Sequence, residues 1–155
     1  MDARTVGLWR QYNQLVAALG STSNVVGEFA ERLIADHLGG TLLKASAKSA
    51  DIKLPDGRLI QVKARIIRDG VPATSLGIIR TWDFHVLAAV LFDPDGSVLR
   101  AVLVPVEAAK MCARTNGLQN GWVIVTTKAF LDHEQAEDIT DALNQLLAGS
   151  PAGAE

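Results

Sequence analysis

The sequence predicts an α/β (α+β) fold, a central mixed β-sheet flanked by helices. Three observations lead there. Apolar residues recur at helical spacing near both ends of the chain. The middle, from Thr41 to Val104, switches to strand-length segments that alternate or run wholly apolar. The resulting order of helix, helix, five strands, helix, strand, helix is that of a mixed sheet covered by helices. With 155 residues, 48% of them apolar, the chain is long enough for one domain with a real core. That domain is expected over residues 1–148, with 149–155 as a flexible tail rich in glycine and alanine.

The elements follow in order. Trp9, Tyr12, Leu15, Val16 and Leu19 form the stripe of a helix within residues 1–20, and Gly20 offers its stop. The next unit, 23–66, opens with N-cap candidates from Ser21 to Asn24. A second helix then carries Val26, Phe29, Ala30, Leu33, Ile34 and His37, and Gly39-Gly40 ends it. Thr41–Ala45, Asp51–Leu54 and Arg58–Ile66 read as strands. A hairpin over 84–104 follows, Phe84–Phe92 and Val98–Val104 around the turn Asp93-Pro94-Asp95-Gly96. Val106–Arg114 reads as a helix, Asn116–Gly121 as a loop and Trp122–Thr126 as a strand. The last helix is expected to begin near Asp132, where Gln135 would complete a capping box. Ile139, Leu143, Leu146 and Leu147 would be its buried face.

Composition narrows the function classes. The net charge of −2 argues against a protein that coats nucleic acid indiscriminately. The charges are unevenly placed, however. Lys44, Lys48, Lys53, Arg58, Lys63, Arg65, Arg68 and Arg80 are opposed in their stretch only by Asp51, Asp56 and Asp69, so a local basic surface could meet a polyanion. No apolar run reaches the roughly 18 residues of a membrane span, and the N-terminus lacks a signal-peptide pattern. The single cysteine, Cys112, fits a reducing, cytoplasmic setting. His37, His85 and His133 have no partner spacing for a metal site or a triad, and His37 and His85 read as structural. No glycine-rich phosphate loop is present, and no organic cofactor is expected.

The stretch from Ser49 to Lys63 carries the chemistry. Ile60, Val62, Ala64 and Ile66 share one face of their strand, and Leu59, Gln61, Lys63 and Arg65 share the other. A two-residue turn at Asp56-Gly57 would pair Asp51 with Val62 and put the carboxylate on the apolar face. A three-residue loop, Pro55-Asp56-Gly57, pairs Leu54 with Arg58, Ile52 with Ile60 and Asp51 with Gln61. Pro and Asp suit the centre of a type I turn and Gly the left-handed residue after it, so the second register is expected. Asp51, Gln61 and Lys63 then converge on one face. A carboxylate and an amide oxygen side by side can hold a hard divalent cation, and an ammonium beside them can stabilise charge on a phosphate. A polar sheet face with an Asp–Lys ion pair is the bland alternative.

Asp51, nine intervening residues, then Gln61-Val62-Lys63 resembles the D-x(n)-(E/Q)-x-K signature of the PD-(D/E)XK, or restriction-endonuclease-like, nuclease superfamily. The Gln form is similar to members of the Mrr type. Gly27-Glu28 on a helix before the first strand also matches, as does the order of helix then three strands. Ser49 precedes Asp51 in place of the proline of the family name. The resemblance runs from about Val25 to Ile66, and the 84–104 hairpin is an insertion relative to it. It implies a metal-dependent nuclease hydrolysing DNA phosphodiester bonds with Mg²⁺ or Mn²⁺. Asp51 and Gln61 would be metal ligands, Val62 would offer its carbonyl, Glu28 would join them or orient a water, and Lys63 would be the catalytic lysine. Lys44, Lys48, Ser49, Arg65, Arg68 and Arg80 would be phosphate contacts. A homodimer would supply two sites for two strands.

Two alternatives stand beside this. Neutral Gln61 and the acidic net charge suit a nuclease-fold module that has lost catalysis and binds DNA or a protein. The polar face could also be an ordinary solvated surface of a small interaction domain. Glu28 lies roughly opposite the helix stripe with Arg32 one turn on, so a surface ion pair competes with its site role. Trp82 reads as a core or interface residue, and Cys112 as buried.

Overall fold

The computed structural model describes residues 1–20, 24–44 and 49–149. Its architecture is a mixed six-stranded sheet flanked by helices, with a separate two-stranded ribbon. The chain runs α1 (Ala3–Leu19), α2 (Val25–Leu38), β1 (Thr41–Leu42), β2 (Ile52–Lys53), β3 (Leu59–Ile66), β4 (Val86–Phe92), β5 (Val98–Pro105), α3 (Val106–Cys112), β6 (Ala113–Asn116), β7 (Gly121–Ile124), α4 (Lys128–Leu131), β8 (Glu137–Asp138) and α5 (Thr140–Gly149). The main sheet has the order β1-β2-β3-β4-β5-β8, with β3 and β4 parallel and the other pairs antiparallel.

The inner strands β4 and β5 are covered on both faces, and side-chain alternation sorts their residues and those of β3 between two cores. Ile60, Val62, Ala64, Ala88 and Val90 pack under α2 and α5, against Ala30, Leu33, Ile34, Ile139 and Leu143. Leu87, Ala89, Leu91, Val102 and Val104 pack on the opposite side with α3, Phe130 and the 67–85 connection. This two-sided cover explains why β4 is apolar at consecutive positions instead of alternating. The 84–104 hairpin supplies β4 and β5, two adjacent strands in the interior of the sheet order.

The β2–β3 register is the expected one. Ile52 pairs with Ile60 and Lys53 with Leu59, while the Leu54 N–H donates to the Arg58 carbonyl at 2.9 Å. Gly57 takes φ +88°, the left-handed residue that the three-residue loop requires, and the Asp56 carboxylate accepts from the Arg58 N–H. Asn24 is the N-cap of α2, accepting from the Gly27 N–H at 3.1 Å.

Three expectations are corrected. The last helix begins at Thr140, not near Asp132. Gln135 donates its N–H to the His133 ring, and the chain then forms β8 against β5, with Asp138 accepting from the Thr140 N–H. The Asn116–Gly121 segment is the turn of a hairpin that starts at Ala113, so the helix before it stops at Cys112. Strands β1 and β2 are two residues each; Ala45, the expected end of the first, lies outside the described residues. The first helix, α1, forms with Gly20 as its C-cap, as expected; none of its residues is fully buried, and Trp9 and Tyr12 stack on each other at 5.8 Å, both exposed. Cys112 is half-buried, and Trp82 packs between Phe84 and Trp122. No helix among the described residues is long and apolar enough to cross a membrane.

Candidate active site

The site forms where β2 gives out. Its ladder with β3 covers only Leu59 and Ile60, yet β3 continues to Ile66. Asp51 sits at that break. Its own N–H donates to the Ile60 carbonyl at 2.8 Å, which brings the carboxylate over the next residues of β3. Asp51 Oδ2 accepts from Gln61 Nε2 at 2.7 Å and from the Val62 backbone N–H at 2.7 Å. Both backbone groups of a strand residue point to the same side, so the Val62 carbonyl faces this edge too. Desolvation raises the Asp51 pKa, against the lowering effects of the Val62 hydrogen bond and the Lys63 charge.

Lys63 lies two residues along from Gln61, on the same face of β3. Its Nζ donates to the Ile78 carbonyl at 2.9 Å, part of the 67–85 connection that crosses over this face. Burial pushes its ammonium pKa down. Asp51 opposes that shift, Arg65 adds to it, Glu31 opposes it and Arg80 adds to it. Asp51, Gln61 and Lys63 are therefore brought together as expected, with Lys63 tied to a carbonyl instead of ion-paired at the surface.

A second helical glutamate joins Glu28 on this face. Glu31, not singled out beforehand, has its pKa pushed up to about 7 by desolvation first, then by the charges of Asp51 and Glu28, with Lys63 opposing. Glu28 reaches the same region, and its Oε2 is buried without a hydrogen-bond partner. In place of the competing Glu28–Arg32 pair, Arg32 donates to the Leu19 carbonyl at 3.2 Å. Glu31 stands three residues after Glu28 and four before buried Ala35, so both acids project from one side of α2 at the margin of its packed stripe. That spacing was the signal available. Glu28, Glu31, Lys44 and Asp51 line a common cleft of about 350 Å³.

The basic residues divide. Lys44 is exposed on the cleft rim. Ser49 shares a hydroxyl–hydroxyl hydrogen bond with Thr81. Arg65 donates to the Ser75 carbonyl at 3.2 Å and Arg80 to the Gln119 carbonyl at 2.9 Å, both at exposed positions beside Lys63. Arg68 is exposed beyond the end of β3, and Lys48 lies outside the described residues.

Among the described residues, no three Asp, Glu, His or Cys side chains come together as a ready-made metal site. The donor set nevertheless fits a hard cation in its chemistry. Two carboxylates whose pKa values are raised first by desolvation, and an orphaned carboxylate oxygen, face one cleft, where a divalent ion would compensate the lost hydration. No protein-family model matches the sequence, and no curated protein matches it.

Proposed function

We propose that this chain is a metal-dependent nuclease of the PD-(D/E)XK type, in the Q-x-K form, hydrolysing DNA phosphodiester bonds. The observation that carries the reading is the convergence of Asp51, Gln61 and Lys63 where β3 loses its partner strand, with Glu31 facing them from α2. Asp51, Gln61 and the Val62 carbonyl would hold Mg²⁺ or Mn²⁺, with Glu31 and Glu28 completing the set. Such an ion, when bound, polarises a phosphate and lowers the pKa of a bound water. Gln61 currently donates its amide to Asp51 and offers its oxygen only once the amide turns over. Lys63, with its pKa lowered by burial, can donate to a phosphate oxygen or exchange a proton with the attacking water. Lys44, Ser49, Arg65 and Arg80 surround this face and suit phosphate contacts; Lys48 and Arg68 belong to the same basic stretch. Cytoplasmic action on DNA agrees with a single cysteine, and a homodimer would let two sites cut two strands.

A second reading has its own observation. Gln61 is neutral, its amide is engaged by Asp51, and no three metal-binding side chains stand assembled among the described residues. These suit a nuclease-fold module that binds DNA or a protein without cutting. Calorimetric titration with Mg²⁺ and Mn²⁺, followed by cleavage of linear, nicked, branched and single-stranded DNA, separates the two. The nuclease reading expects one divalent site and metal-dependent cutting, both lost in Asp51→Ala. Metal-independent cutting, or cutting that survives Asp51→Ala, contradicts it. DNA binding without metal uptake or cutting selects the second reading.

A further inference from the structure

The β6–β7 ribbon stands apart from the main sheet but is fastened to the segment that holds Lys63. Ile79 and Trp122 exchange two backbone hydrogen bonds, at 2.9 and 2.8 Å. Ile79 is the neighbour of Ile78, whose carbonyl takes the Lys63 ammonium. The approach is so close at Gly121 that an added Cβ would lie 2.6 Å from the Ile78 side chain and 2.7 Å from the Ile79 carbonyl. Arg80 closes the junction by donating to the Gln119 carbonyl in the ribbon turn.

The turn uses some of its polar residues on itself. Asn116 accepts from the Gln119 N–H, and Asn120 occupies the left-handed conformation at φ +51°. Three exposed side chains make no hydrogen bond among the described residues: Arg114 on β6, and Leu118 and Gln119 at the tip, with Leu118 fully exposed. From Ala113 to Thr127 the chain contains no acidic residue. A two-stranded ribbon with amides and a bare apolar residue at its tip, Arg114 on one strand, Arg80 bonded to its turn and no acid suits one kind of partner. The major groove of B-form DNA, about 12 Å wide, admits a two-stranded ribbon; amide side chains read adenine there and an apolar group meets the thymine methyl.

We propose that the β6–β7 ribbon is a groove-inserting arm for duplex DNA. Leu118 and Gln119 touch base edges, while Arg114 and Arg80 touch the flanking phosphates. This rests on the nucleic-acid part of the reading above and adds to it the element that engages the duplex. Because the ribbon is bonded to Ile79, its position in the groove sets where the backbone falls relative to Lys63.

The test is fluorescence anisotropy with a short labelled DNA duplex in EDTA, at several salt concentrations. It compares the native chain with Leu118→Ala and Arg114→Ala, exposed positions whose replacement leaves the melting temperature unchanged. Leu118→Ala is expected to weaken binding about tenfold, the size of one good base contact. Arg114→Ala is expected to reduce the slope of log affinity against log salt by about 1. Unchanged affinity and slope in both variants overturn the arm; if Asp51→Ala still abolishes cleavage, the nuclease reading survives alone. Weakened binding in the variants of a native chain that cuts nothing keeps the arm and overturns the nuclease. Absence of duplex binding by the native chain overturns the arm, and the nuclease reading falls with it only if metal-dependent cleavage is also absent. Equal affinity for duplex RNA overturns groove insertion, since the A-form major groove is too narrow to read.

Discussion

Asp51 Oδ2 serves two donors, so its loss is structural as well as chemical. Asp51→Ala leaves the half-buried Val62 N–H without its acceptor, and about 1–3 kcal/mol of stability should go with it. Asp51→Asn keeps an oxygen for that N–H and should lose much less, while still removing the charge that would bind a cation. Thermal unfolding of the two variants checks this; equal losses would contradict it. Glu31 supplies a pH signature. Its folded pKa, about 7, lies above the ordinary value of 4.5. Between those values the folded state binds more protons than the unfolded state, so stability falls as pH rises. The benefit of the protonated form is complete below about pH 4.5 and is lost through pH 7. Glu31→Gln should therefore be more stable than the native chain at pH 8, by about 1 kcal/mol after solvent screening of a half-buried group, and not at pH 4. Equal melting curves at both pH values would contradict the raised Glu31 pKa that burial, and secondarily the neighbouring acids, impose. At this scale Asp51, Gln61 and Lys63 were legible because turn chemistry dictates register and register dictates face. Glu31 was not, because a helix margin is neither clearly polar nor clearly buried in a one-dimensional pattern.

Short elements position the site, and their contacts can be broken singly. Gly121→Ala places a Cβ against the backbone of Ile79, which cannot yield as a flexible side chain would. A cost of about 1–3 kcal/mol is expected, together with a displaced ribbon. Hydrogen exchange at Ile79 and Trp122 checks it, faster exchange being the expected result and unchanged protection the contrary one. The Pro55-Asp56-Gly57 loop was readable because each of its residues has one conformational role. The region after Thr127 was not. Asp132 and Gln135 imitate a capping box, whereas the His133 ring takes the Gln135 N–H and the chain goes on to a two-residue strand. A strand that short has no period for a sequence pattern to display. The β6–β7 ribbon was half seen for a similar reason: its first strand, Ala-Arg-Thr-Asn, carries no apolar alternation.

On the scale of the molecule, the sheet class was legible because β4 is shielded on both faces and so reads as an unbroken apolar run. The position of α1 was not legible. Its stripe has helical spacing, but none of its residues is fully buried, so periodicity alone did not reveal whether a core receives it. Removal of residues 1–20 should accordingly cost no more than about 2 kcal/mol and leave cooperative unfolding intact, because both cores lie elsewhere. Loss of cooperative unfolding in that truncation would contradict the assignment of the core. The central claim concerns the chemistry at the end of the β2–β3 ladder, and cleavage of linear duplex DNA by the native chain and Lys63→Ala, at matched melting temperature, tests it most directly. The expected result is cutting that requires Mg²⁺ or Mn²⁺ and falls by about a hundredfold or more in Lys63→Ala. Undiminished cutting by Lys63→Ala, or no cutting by the native chain with either metal, would contradict it.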